Sequence, residues 1–284
     1  MLKLVHRSRA IHITHALKFA PTLFLIALLV APTSAHAEHS ASERITDDSP
    51  YTLRPGEHRI GLTSIDYGLH GHPLLDMMDI GTNPWLWAAN LGGLRSINLR
   101  LKYEFYQDDI LSLSIRSAYY QIGSGKTRLR YIPIELYAGI KATRNLTVAA
   151  GYRRTQLSVK GGLELTEEYE ATGNVGFTVA QVRAMAEYRL SRRTALIMRG
   201  ELQQYQRLRI EAAGERDDDS AGVFVDKNLL PEEVAFNVSA VVAWSWDSFN
   251  LELGLQYGNP TIPGANAIVP QRTLLPSASM YWRF

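Results

Sequence analysis

The chain has 284 residues, 30 Lys and Arg against 28 Asp and Glu, a formal net charge of +2 and no cysteine. So balanced a charge leaves no electrostatic footprint for nucleic acid, and the missing cysteine excludes disulfides and thiolate metal sites. Apolar residues make up 46% of the chain, so their spacing decides the fold.

The first residues read as a leader. Lys3, Arg7, Arg9 and Lys18 precede an apolar run from Phe19 to Ala31, and Ala35-His36-Ala37 supplies a small-x-small cleavage site. This pattern predicts a secretory signal peptide over 1–37, since the apolar run is short for a helical span. Residues 38–50 are then expected to form a periplasmic tail and 51–284 a single domain. Beyond the leader no stretch approaches the ~20 apolar residues of a membrane helix. An exported chain without a helical anchor is expected to be periplasmic, secreted or a barrel.

After Tyr51 the segments Arg59–Leu69 and Pro73–Trp87 read as strand-like. From Leu94 onward alternation is clear. Ile97, Leu99, Leu101, Tyr103 and Phe105 oppose Ser96, Asn98, Arg100, Lys102 and Glu104. Leu111, Leu113, Ile115 and Tyr119 oppose Ser112, Ser114 and Arg116. Ile132, Ile134, Leu136, Ala138 and Ile140 oppose Glu135, Tyr137 and Lys141. Leu146, Val148, Ala150 and Tyr152 oppose Thr147, Gly151 and Arg153. Further strands are predicted over Phe177–Leu190, Thr194–Leu208, Glu233–Asp247, Phe249–Gly258 and Leu274–Phe284. An apolar row opposite a polar row at period two is a strand with hydrocarbon on one side and water on the other. Most segments exceed the usual soluble strand and suit a tilted span.

The predicted connections alternate in length. Tyr106–Asp109, Thr143–Asn145, Ser191–Arg193 and Asp247–Ser248 are tight, whereas Gly123–Arg130, Val159–Asn174, Arg209–Glu232 and Asn259–Thr273 are long and polar. Phe105, Tyr188, Trp244, Trp246, Phe249, Trp282 and Phe284 gather near the tight turns. Tyr119, Tyr120, Tyr152 and Tyr257 lie near the long connections. Two aromatic bands a strand apart are expected at membrane interfaces.

The last strand sets Ala278, Met280, Trp282 and Phe284 against Ser277, Ser279, Tyr281 and Arg283. Here the chain resembles the bacterial outer-membrane β-barrel proteins, whose terminal strand ends on Phe and is read by the barrel-insertion machinery. Ser277, Trp282 and Phe284 match that signal, with Ser279 where glycine is usual. Tyr67-Gly68-Leu69, Gly81-Thr82-Asn83-Pro84 and Lys102-Tyr103 resemble a poorly characterised, porin-like group of Gram-negative barrels, as does Tyr51-Thr52-Leu53 followed by Arg59-Ile60-Gly61-Leu62. The resemblance implies an all-β antiparallel transmembrane barrel in the outer membrane, with lipid and lipopolysaccharide as neighbours. Single-chain barrels of this kind have even strand numbers. Twelve strands are predicted, with ten as the alternative.

Chemistry-bearing motifs are few. Gly123-Ser124-Gly125-Lys126-Thr127 lacks the leading Gly of a phosphate loop and joins two strands, so it reads as a turn. His70-Gly71-His72 lacks a third metal ligand. No mature His stands in a His-x-Ser arrangement for nucleophilic catalysis, so no enzyme, metal or cofactor is expected. Glu164, Glu167, Glu168, Glu170, Glu211, Glu215, Asp217, Asp218 and Asp219 read as solvated acidic loops. The inward row carries Arg100, Lys102, Glu104, Arg116, Glu135, Lys141, Arg153, Arg183, Glu187, Arg199, Glu201 and Glu252, with Arg189 and Arg283. Facing lipid, a basic residue would cost ~2–4 kcal/mol at mid-membrane, so these are predicted to line a lumen. Phe105, Trp244, Trp246, Trp282 and Phe284 are predicted interface aromatics. The lumen is expected either to interlock as Arg–Glu ladders or to pass small solutes, with an excess of Arg favouring anions. The functional expectation is a porin-like or structural barrel, its lumen either a narrow channel for small solutes or plugged. The alternatives are a binding or adhesion barrel using its acidic loops, and an outer-membrane lipid hydrolase.

Overall fold

The computed structural model describes residues 49–166, 169–216, 219–228, 235–259 and 271–284. The leader and the tail up to residue 48 lie outside them. The wall begins with three short strands: β1 (His58–Gly61), β2 (Ile65–Gly68) and β3 (Met78–Thr82). A helix, α1 (Pro84–Leu91), follows. The strands then lengthen: β4 (Arg95–Gln107), β5 (Leu111–Ser124), β6 (Thr127–Lys141), β7 (Leu146–Thr166), β8 (Tyr169–Arg189) and β9 (Thr194–Arg216). β10 (Asp219–Asn228), β11 (Phe236–Ser245), β12 (Phe249–Gly258) and β13 (Thr273–Arg283) complete the chain.

All pairings are antiparallel, and the sheet closes on itself. β13 pairs with β1, placing Arg59 opposite Arg283. β9 pairs with β8 on one side and, over Thr194–Leu202, with β11 on the other. Among the described residues β10 pairs only with the far half of β9, Arg207–Arg216, so it stands outside the ring. The barrel therefore has twelve strands and one accessory strand. Closure leaves no backbone edge running the full length of the wall, which is what hydrocarbon demands.

Polarity is inverted relative to a soluble domain. Ile97, Leu99, Leu101, Ile134, Leu136, Ile140, Val148, Met198, Leu253 and Leu255 are exposed on the outside. Lys102, Glu104, Glu135, Arg183, Glu187 and Glu252 are all at most 9% exposed on the inside. β11 and β12 have ten residues each. At ~3.3 Å per residue and a ~40° tilt, that gives a band of ~25 Å, the height of a barrel's lipid-facing belt. Such a surface has no stable home in water.

The end carrying Phe284 and the turns at 108–110, 142–145, 190–193 and 246–248 is called the inner end. Trp246 stacks on Phe249 at 5.5 Å, and Phe249 lies 5.0 Å from Trp282. Phe105 is the extra residue of a bulge between Glu104 and Tyr106, 6.4 Å from Tyr103. Tyr120 departs from the outward aromatic band. It shares the face of buried Ala118 and stacks on Tyr131 at 5.9 Å.

Several expectations are corrected. Arg59–Leu69 is not one strand but a hairpin, closed where Gly61 N–H donates to Ser64 O at 2.7 Å. Pro73–Trp87 is not a strand throughout: β3 ends at Thr82 and α1 begins two residues on. The helix starts on a favoured cap and a favoured first residue: the Asn83 side chain accepts from Trp85 N–H at 2.9 Å and Pro84 occupies the first turn. The connection predicted over Gly123–Arg130 is a two-residue turn with Gly125 at φ +55°. Much of the connections predicted over Val159–Asn174 and Arg209–Glu232 is strand. Leu208-Arg209-Ile210-Glu211 still alternates, so pairing continues past the apolar band. Residues 260–270, in the last predicted loop, lie outside the described residues.

Candidate functional site: the barrel lumen

Alternation sends every second side chain of each strand into the bore, and the charges there assemble into ion-paired clusters. Glu135 on β6 sits at the centre of one. It accepts from Arg116 on β5, from Arg153 on β7 at 3.3 Å and from Arg183 on β8 at 2.7 Å. Arg183 also reaches Glu201 on β9 at 2.5 Å, with Arg153 3.7 Å from the same carboxylate. Arg199 on β9 pairs with Glu252 on β12 at 2.7 Å across the intervening β11. Arg59 on β1 pairs with Asp66 on β2 at 2.6 Å, and Arg100 lies 3.5 Å from that carboxylate. These links brace adjacent and next-but-one strands around the inside of the wall.

The inner half of the bore is filled. The segment Ser49–Leu53 runs inside the barrel and is buried throughout. Thr52 donates to Glu104 from both its backbone N–H (3.1 Å) and its hydroxyl (2.9 Å). Leu53 N–H donates to Asp79 at 2.8 Å. Lys102 donates to the Tyr51 carbonyl, and Ser112 donates to Glu104. A Cβ on Gly139 would lie 2.4 Å from Pro50 Cγ, so this glycine leaves room for the segment. Tyr137, Ala149, Met185, Ile197, Val241 and Ala243 form a buried apolar layer in the same half. Beyond this filling the bore opens into a cavity of about 350 Å³ lined by Arg59, Arg183, Arg199, Glu201 and Glu252, with Ser239, Ser277 and Ser279.

Each residue singled out in the sequence has a definite place. Arg100, Lys102, Glu104, Arg116, Glu135, Arg153, Arg183, Arg199, Glu201 and Glu252 belong to the contacts just described. Glu187 is buried on the inward face opposite Thr147. Lys141 stands at the inner rim, where its backbone N–H donates to Ile110 O at 2.8 Å. Arg189, also at the rim, donates to Asn145 Oδ1 at 3.1 Å. Arg283 pairs with Glu57 at 2.8 Å. Trp244, Trp246, Trp282 and Phe284 lie on the outer face at the inner end. His70 Nδ1 is 2.5 Å from the Tyr67 hydroxyl, and His72 Nδ1 accepts from Leu74 N–H at 3.2 Å. No cluster able to hold a metal occurs among the described residues. In the extension Glu211 pairs with Arg209 at 2.5 Å. Residues Glu167, Glu168, Asp217 and Asp218, and the side chains of Glu164, Glu170, Glu215 and Asp219, lie outside the described residues.

Sequence reasoning missed Asp66, Asp79, Arg59 and the lumenal segment. With them the bore holds Arg59, Arg100, Lys102, Arg116, Arg153, Arg183 and Arg199 against Asp66, Asp79, Glu104, Glu135, Glu187, Glu201 and Glu252. The expected excess of Arg is therefore absent. Both extra acids lie on strands of four and five residues, too short for alternation to mark them.

Inverted polarity, closure and an ion-paired bore define the class: an antiparallel β-barrel of the transmembrane type. No protein-family model matches the chain, and no curated protein matches it. Among solved structures it is similar to the ferric yersiniabactin uptake receptor FyuA from Yersinia pestis, at 14% identity and TM-score 0.38 over 71% of this chain and 32% of that one. It is similar to the Pseudomonas putida toluene transporter TodX at 10% identity and TM-score 0.41, over 80% of this chain and 65% of that one. The translocator domain of the autotransporter NalP from Neisseria meningitidis matches at 10% identity and TM-score 0.32, over 80% of this chain and 86% of that one. The chain spans about a third of the first and under two thirds of the second. At these scores the likeness carries no argument about what passes through or binds to this barrel.

Proposed function

We propose that this chain is an outer-membrane barrel that acts as a narrow, inwardly stoppered channel for small polar solutes, without catalytic activity. One observation carries the reading. The bore holds a polar cavity of about 350 Å³, and what closes it on the inner side includes Ser49–Leu53, a segment that belongs to no strand and is held to the wall by hydrogen bonds. A purely structural barrel could fill its bore with wall side chains alone. The balanced bore charge favours weak ion selectivity over the anion preference expected from the sequence. Among the described residues no Ser or Thr hydroxyl in the bore lies beside a His, as nucleophilic hydrolysis requires.

Conductance across a planar bilayer tests the reading. Leu53→Pro removes the N–H that donates to Asp79, and Gly139→Leu fills the notch that receives Pro50. The parent barrel should give small, infrequent openings, and both variants should give larger and longer ones. If both variants insert as folded barrels and stay as quiet as the parent, the stopper is not what closes the bore and the channel reading fails.

A further inference from the structure

The wall is not equally tall all the way round. β1, β2 and β3 have four, four and five residues, while β13 and β4 on either side have 11 and 13. β13 is paired with β1 only from Tyr281 to Arg283, and β4 with β3 only from Arg100 to Tyr103. Above the β1–β2 turn a notch therefore separates the outer half of β13 from the outer half of β4. The two sides of this notch differ. On the β4 side α1 and its flanks take over the backbone groups: Thr82 Oγ1 donates to Asn98 O at 3.3 Å, and Ser96 N–H donates to Asn90 Oδ1 at 2.7 Å.

On the β13 side no strand adds to the edge among the described residues. Arg283 N–H donates to Ser248 O and Phe284 N–H to His58 O, so odd residues of β13 bond to β12 and even residues face the notch. Pro276 is even. Its missing N–H falls on the open edge, where a donor would otherwise meet hydrocarbon unpaired.

The cavity reaches this notch. It is lined by the inward Ser277 and Ser279 and also by the outward Ala278 and Met280, with Leu62 at the floor. At this edge the cavity is therefore bordered by residues of both alternating rows of β13, not by the inward row alone. Inside, the cavity presents the guanidinium groups of Arg59, Arg183 and Arg199, each also paired with a buried carboxylate that an anionic head would share. We propose that the notch is a lateral portal, through which a membrane amphiphile with an anionic head and an alkyl chain places its head in the cavity and leaves its tail in the bilayer. The inference rests on the membrane-barrel reading and adds a ligand class and a route to it. The arginines select the head, while Leu62, Ala278 and Met280 form an apolar sill for the chain.

Photolabelling of the full barrel in phosphatidylcholine vesicles tests this, using dodecyl phosphate with a diazirine beside the phosphate. Bulk lipid cannot label the bore, so the expected result is label on Ser277 and Ser279. Unlabelled dodecyl phosphate should compete at least about tenfold better than butyl phosphate or inorganic phosphate, because only it keeps a tail in the bilayer. Ala278→Trp, which fills the sill from outside, should cut labelling about tenfold, whereas Val242→Trp, on the lipid face of β11, should leave it unchanged. Arg199→Gln should weaken labelling through loss of a charged partner. Equal competition by butyl phosphate, or full labelling in Ala278→Trp, would mean entry through the outer mouth and would overturn the portal. So would a second copy or a peptide strand crosslinked along β13 in place of the amphiphile. If labelling fails while the barrel folds and Leu53→Pro conducts, the portal alone is wrong. If the chain neither inserts nor conducts, the barrel reading falls with it.

Discussion

Replacing Glu135 by Gln strips the charge from the carboxylate on which three guanidinium groups converge. The residue is 3% exposed. Its partners are Arg116, Arg153 at 3.3 Å and Arg183 at 2.7 Å. Breaking a buried pair by removing one partner costs about 3–5 kcal/mol, because the other charge stays buried without compensation. Two features pull toward the lower end. The Arg116 and Arg153 side chains are each 17% exposed, so water can solvate them in part, and Arg183 keeps Glu201 at 2.5 Å. The expected loss is therefore about 3 kcal/mol. Removing Arg116 as well should restore part of it, since the second change deletes one stranded cation. Urea unfolding in lipid vesicles, followed by tryptophan fluorescence, measures both. A Glu135→Gln barrel within about 0.5 kcal/mol of the parent would mean that the cluster is fully solvated and does not brace the wall, refuting the argument from burial.

The face assignment makes a paired prediction. Leu99→Arg puts a guanidinium in hydrocarbon at a cost of about 2–4 kcal/mol and should lower the folded yield in vesicles; Arg100→Leu, one residue along, should insert normally because Asp66 keeps Arg59 at 2.6 Å. If the two insert equally well, the faces are misassigned. In the extension beyond the apolar band, the Arg207 hydrogen bond holds the Asp226 carboxyl below its usual range. A depressed native pKa contributes stability above the unfolded value, and this is lost as pH falls through the native one. Amide exchange along β9–β10 should therefore quicken at acid pH in the parent, and Asp226→Asn should remove that pH step; an identical step in the variant would assign it elsewhere. The effect should be small, since the pair is open to water.

What the sequence determined by itself was the facing of side chains. Period-two alternation is local, so Ile97 to Phe105 against Ser96 to Glu104 could be sorted with no knowledge of what lies beside β4. Most tight turns and the inner aromatic cluster were legible for the same reason. Tyr106 was not: the bulge at Phe105 shifts the alternation, and bulges are made between strands, not within one.

What only the tertiary structure decided were relations between distant segments. Closure of twelve strands depends on β9 leaving β10 outside the ring and meeting β11, a choice no window of sequence contains. Ser49–Leu53 has no alternation to announce it, because it is held by backbone donors and by Glu104, Asp79 and Lys102, from strands well downstream. Asp66 and Asp79 lie on strands too short to carry a period, yet they remove the apparent excess of positive charge in the bore. The notch beside β13 follows from how few of the described residues pair with its outer half, a property of the neighbours rather than of Thr273–Arg283. Pro276 was the one local trace of that edge, and its meaning emerged only when the register showed which way its nitrogen points.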